Sequence, residues 1–159
     1  MKRLACVLLA CGVGCGSSSP ADVAGSYTVA VTNRDNGCML ANWMVGTSTP
    51  NIPVTITQSG SNATATITGL VGIYVSAGLG SNVYTGTVDG NDLDLELLGT
   101  RSQTMGNCTF TYNSAIAATL GGDALEGRVE YRVAGNGNPD CAVFDNCLSY
   151  QDFNGTRPP

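Results

Sequence analysis

Apolar and polar residues alternate along most of this chain with a period of two, the repeat of a strand that buries one face. Tyr27, Val29 and Val31 alternate with Thr28, Ala30 and Thr32, and Val54 and Ile56 with Thr55 and Thr57. Leu93, Leu95 and Leu97 alternate with Asp92, Asp94 and Glu96. The clearest run sets Leu125, Val129, Tyr131 and Val133, with Gly127 between them, against Glu126, Arg128, Glu130 and Arg132. Further strands are predicted over 38–45, 63–68, 83–88, 108–120 and 147–154, with a bulge in the run from Cys108. A loop is predicted over 46–53. The segment Leu70–Leu79 is apolar but broken by glycine, and it fits a strand, a short helix or a lid.

Turn signals separate these runs. Gly60-Ser61-Asn62, Asp89-Gly90-Asn91 and Gly121-Gly122-Asp123 each join two alternating segments, as in a hairpin. Short connections favour antiparallel neighbours, and neither helical crossovers nor a glycine-rich dinucleotide fingerprint is present. The predicted fold is all-β, an antiparallel up-and-down barrel of about eight strands, with a two-sheet sandwich as the alternative. Closure is preferred because it removes the exposed edges of a Thr- and Val-rich sheet. Many inward positions are small: Ala63, Ala65, Gly86, Gly127 and Ala117. They leave either a cavity or a narrow, tightly drawn barrel.

The first residues break the alternation. Lys2 and Arg3 precede an apolar stretch from Leu4 to Val13, too short to span a bilayer and of the form of an export signal. Cys11 follows Leu8-Leu9-Ala10, and Cys15 follows Gly12-Val13-Gly14 and precedes Gly16-Ser17-Ser18-Ser19. Both settings resemble the lipobox of bacterial lipoproteins, in which the lipidated cysteine becomes the new N-terminus. Cys15 is the expected lipidation site and Cys11 the alternative. The organisation read here is a signal peptide over 1–14, a tether over 15–24 and one domain over 25–159.

An anchor at Cys15 leaves Cys38, Cys108, Cys141 and Cys147, an even set that an exported protein pairs into two disulfides. Three connectivities are open. The short separation of Cys141 and Cys147 favours their pairing, with Cys38 then joined to Cys108. A metal site is not expected, because the chain has no His and no CxxC.

Composition narrows the chemistry. The chain carries 12 acidic and 7 basic residues, and two of the basic ones lie in the leader, so the domain lacks the positive footprint of a nucleic-acid binder. Its acidity also disfavours an anionic bilayer surface. Without His, the commonest general base near neutral pH is missing. Asp92, Asp94 and Glu96 read as a solvated face. Asp89, Asn91 and Asp92 are calcium-type ligands without the spacing of a calcium loop. No catalytic residues, metal or cofactor are expected, and the protein is not read as an enzyme.

With its lipobox leader, its opening Gly25-Ser26-Tyr27, its meander of short strands and its closing Phe153-Asn154-Gly155-Thr156-Arg157, the chain resembles small lipocalin-like lipoproteins of myxobacterial type. In lipocalins an aromatic residue of the first strand packs near a basic residue after the last. Tyr27 and Arg157 stand in those positions, although the motif usually has Trp, and the helix that follows a lipocalin barrel is absent. The resemblance implies a pocket for a small apolar molecule, for which Trp43, Tyr27 and Tyr131 are the candidate contacts. The expected function is that of an envelope lipoprotein, held to the membrane by its lipid anchor, with such a ligand in the barrel. The alternative is a non-catalytic structural or protein-interaction lipoprotein whose barrel is packed solid.

Overall fold

Each alternating run forms a strand, and the strands close on themselves. The computed structural model describes residues 19–158, so Cys11, Cys15 and the rest of the expected signal lie outside the described residues. The strands are β1 (Gly25–Asn36), β2 (Ser48–Ser59), β3 (Asn62–Ile67), β4 (Val83–Asp89), β5 (Asp92–Leu97), β6 (Gln103–Met105), β7 (Cys108–Gly121), β8 (Ala124–Gly135) and β9 (Ser149–Thr156). One helix, α1 (Gly69–Leu79), joins β3 to β4, and a 3-10 turn over Pro139–Phe144 precedes β9.

Every pairing is antiparallel. Each strand from β1 to β4 pairs with the next, β5 pairs with β7, β7 with β8, β8 with β9, and β9 returns to β1. The result is a closed eight-stranded up-and-down barrel of lipocalin-like form, with β6 as a small flap on β7. Followed once around the barrel, ladder partners return to β1 about ten residues from where they began, a stagger that tilts the strands and sets an interior of side-chain to small-ligand width. The sandwich alternative is excluded by the β1–β9 and β5–β7 pairings.

The predicted inward rows point inward: Leu93, Leu95, Leu97, Leu125 and Val129 are buried, while Asp92, Asp94, Glu96 and Glu126 are exposed. β7 departs from expectation in two ways. Its register with β8 runs unbroken from Phe110 to Gly121, so it has no bulge against that partner. Its inward residues are therefore the even-numbered ones, which buries Ala118 and turns Ala117 outward.

The second predicted strand does not form. Residues 38–45 belong to an irregular connection in which Met39 and Asn42 both take the left-handed φ of 57°. The next strand begins earlier than expected, at Ser48. Its two prolines obscure it in the sequence, but neither interrupts a ladder: Pro50 falls in the bulge between the Val29 and Val31 registers, and Pro53 lies one residue beyond the pairing with β3.

The two ends of the barrel differ. One carries the tight turns at Gly60-Ser61, Gly90-Asn91 and Gly122-Asp123 together with the described chain termini. Part of the expected tether is docked there. Val23 is fully buried, its N–H donates to Gln58 Oε1 at 2.8 Å, and Ala21 N–H donates to the Gly90 carbonyl at 2.7 Å. The other end carries the long connections: 37–47, α1, 98–107 with β6, and 136–148 with the 3-10 turn.

Both disulfides lie at this second end. They join Cys38 to Cys147 and Cys108 to Cys141, correcting the pairing expected from sequence separation. The 3-10 turn is the cause. It buries Cys141 toward the start of β7, whereas Cys147 follows the turn and faces the end of β1. Each bridge thus fastens a mouth connection to a different strand end.

Candidate functional site

The barrel interior is filled at its closed end and open beneath α1. At the closed end Tyr27 is buried and donates its hydroxyl to the Val23 carbonyl at 3.0 Å. Arg157 lies beside it. Its Nη1 donates to the carbonyls of Asp22 and Ala24 at 3.0 Å each, and its Nε to Asp123 Oδ1 at 2.9 Å. Burial raises the Tyr27 phenol above its ordinary range, partly offset by the Arg157 charge. One cation therefore fastens the incoming chain and the β7–β8 turn across this end.

Part of the mouth is also plugged. Tyr84 is fully buried and donates to Ser114 Oγ at 3.1 Å, and its phenol is pushed up to about 12, mainly by burial. Phe110 packs against Tyr112 at 5.5 Å and Phe144 at 4.6 Å between ring centroids.

Between these packed regions lies a cavity of about 200 Å³. Its wall is apolar, with Ile52, Ile56, Ala65, Leu93, Leu95 and Phe153 prominent, and Val71 and Val75 of α1 reach it from the mouth side. Space remains there because, below Ile67, β3 presents only the small Ala63 and Ala65 to the interior, whereas the adjoining β2 presents Val54 and Ile56.

Three polar side chains, Thr49, Tyr131 and Gln151, interrupt the wall. Tyr131 Oη donates to Gln151 Oε1 at 3.0 Å, Gln151 Nε2 donates to Asn33 Oδ1 at 2.7 Å, and Asn33 Nδ2 donates to the Met44 carbonyl at 3.2 Å. The chain of bonds runs from the cavity wall to the 37–47 connection. An amide has two N–H donors and two acceptor lone pairs, so Gln151 keeps capacity for a further polar partner. Burial holds the Tyr131 phenol well above its ordinary range, so it stays neutral and acts as a donor.

α1 is held down by close approach. Its N-terminal end follows Thr68, whose N–H donates to the Pro53 carbonyl at 2.9 Å, and its C-terminus is closed by Gly80 in the left-handed region. A Cβ on Gly72 would run into the Ile67 carbonyl, so only glycine lets the helix lie this close to β3.

Comparison with protein-family models, curated proteins and solved structures returns no match.

Of the three expected ligand contacts, Tyr131 lines the cavity. Trp43 sits over the mouth, its ring edge-on to Tyr131 at 5.9 Å and its Nε1 donating to the Arg34 carbonyl at 2.7 Å. Tyr27 is at the opposite, closed end, away from the cavity wall. Sequence reasoning missed Thr49, Val71, Val75, Gln151 and Phe153. Gln151 had a signal: it is the one long polar residue on the inward row Ser149, Gln151, Phe153, Gly155. Among the described residues no three His, Cys, Asp or Glu side chains gather as a metal site. Asp92 instead accepts from Thr119 Oγ1 at 2.8 Å.

Proposed function

We propose that this protein is a non-catalytic envelope lipoprotein that holds one small apolar molecule, bearing a single hydrogen-bonding group, inside its barrel. The cavity beneath α1 carries this reading. At about 200 Å³ it is somewhat larger than an apolar protein cavity of about 150 Å³ that takes up benzene. It is smaller than the roughly 300 Å³ at which pockets for larger ligands begin. Its size suits a single ring or a short branched chain. Thr49, Tyr131 and Gln151 suit a hydroxyl, carbonyl or amide on that molecule, and the apolar remainder of the wall disfavours a charged one. The alternative of a barrel packed solid does not account for this space. The lipobox-like leader, with Cys15 or Cys11 as anchor, supports the envelope location, as does the resemblance to small lipocalin-like lipoproteins.

Native mass spectrometry of protein from its own host reads the anchor, the disulfides and a retained ligand together. For the cavity, the test is calorimetric titration of single-ring alcohols and amides into the protein and into Ala65→Leu. Ala65 is buried on the cavity wall, so leucine fills the space. The expected result is micromolar to millimolar binding that Ala65→Leu abolishes while the barrel stays folded. Binding that survives the substitution overturns the assignment. For the anchor, replacing both Cys11 and Cys15 by Ser is expected to remove the acyl mass that mass spectrometry finds on the mature N-terminus, and a double variant that is still acylated refutes it.

A further inference from the structure

The described surface is apolar at one end only. All ten large apolar side chains left exposed among the described residues belong to the mouth-end connections or the strand ends beside them. Six are more than 60% exposed: Met44, Val45, Leu70, Ile73, Tyr74 and Leu98. A soluble surface scatters such residues singly, and a cluster marks a contact.

α1 repeats the pattern. Its inner face puts Val71 and Val75 on the cavity, while its outer face offers Leu70, Ile73 and Tyr74 to solvent. A helix apolar on all sides belongs in a core or in lipid, and this one has a core on only one side. Charge is sparse in three of the four mouth connections. Residues 37–47 and 68–82 contain no Asp, Glu, Lys or Arg, residues 98–107 contain only Arg101, and the fourth connection, 136–148, carries the exposed Asp140 and Asp145. The closed end carries Asp22, Asp89, Asp92, Asp123 and Arg157.

We propose that the mouth end docks onto a zwitterionic lipid bilayer, with α1 and the 37–47 connection entering the interface. Three observations select a bilayer. The exposed side chains project from several separate connections, which a fluid surface accommodates one by one. The two most apolar connections are free of charge, as hydrocarbon requires. Tyr74 and Trp43 are amphipathic aromatics of the kind that settle at the lipid–water boundary. The protein's net negative charge makes phosphatidylcholine the better surface, since anionic lipid would repel it. The proposal does not depend on ligand binding: the vesicle experiment contains no ligand, and Ala65→Leu, which closes the cavity, is expected to leave docking intact.

Trp43 is the only tryptophan and lies at the mouth, so its emission reports this end alone. The full chain with Cys11→Ser and Cys15→Ser, which removes any acyl anchor, is mixed with phosphatidylcholine vesicles whose acyl chains carry bromine. Quenching of Trp43 relative to unbrominated vesicles is expected. Leu70→Asp with Ile73→Asp is expected to reduce vesicle partition at least tenfold. Met44→Asp with Leu98→Asp tests the same end through two other connections, should the helix variant fail to fold. The apolar leader is common to all these proteins, so differences among them read the mouth. Absence of quenching, or partition unchanged by both folded variants, overturns the proposal. So does a concentration-dependent dimer in sedimentation that covers the mouth and excludes vesicles.

Discussion

Tyr84 shows how much the interior depends on individual hydroxyls. It is fully buried, hydrogen-bonded to Ser114 and pushed up to about 12. A phenol whose folded pKa exceeds its unfolded value of 10 stabilises the fold fully below pH 10 and loses that contribution as pH rises towards 12. Tyr27, Tyr112 and Tyr131 are raised in the same direction, each chiefly by burial. The melting temperature is therefore expected to fall steeply above pH 10, in step with phenolate absorbance, and Tyr84→Phe is expected to make that fall shallower. A melting temperature flat from pH 9 to 12 would contradict this. At this scale the period-two pattern identified most inward side chains, because a strand offers only two faces. It did not identify Gln151, whose role comes from its bonds to Tyr131 and Asn33, on two other strands.

Connections were harder to read than strands. Residues 38–45 have the composition of a strand, yet two left-handed residues and a disulfide make them a cover for the mouth. The partners of Cys141 and Cys147 depended on a single 3-10 turn whose direction no spacing encodes. The observed bridges close loops of 109 and 33 residues of sequence separation. Loop-closure entropy ranks them at about 5 and about 4 kcal/mol. Cys38→Ser with Cys147→Ser is thus expected to lower urea-melt stability by about 1 kcal/mol more than Cys108→Ser with Cys141→Ser. The reverse order would show that loop entropy does not dominate. α1 makes a sharper case: Gly72→Ala sets a methyl group against the Ile67 carbonyl. A cost of about 1–3 kcal/mol is expected, of the order of overpacking a tight contact. Lifting the helix should also weaken ligand retention, and a variant that melts and binds as the parent does would refute the close approach.

The whole molecule is a cup with unlike ends, and each end was legible to a different degree. The closed end was partly visible as tight turns and as the Tyr27 and Arg157 positions. The apolar mouth was not, because its exposed residues come from segments that look like core when read one at a time. Only closure of the barrel brings them to one side. The emergence of the N-terminal chain from the closed end sets a mechanical limit. From Ala21 back to Cys15 is six residue steps, at most about 22 Å of extended chain. The barrel wall, of twelve-residue strands such as β1, is roughly 30 Å tall at the usual rise and tilt. If Cys15 holds the anchor and the rim docks as proposed, the cup would stand on its base, too short-leashed to turn over, so its rim would meet a second membrane and the molecule would be a strut between two bilayers. Acylated protein should then clump phosphatidylcholine vesicles, with turbidity rising on mixing. Ten Gly-Ser residues inserted after Cys15 should abolish the clumping, because the longer leash lets the rim fold down onto the membrane that already holds the anchor.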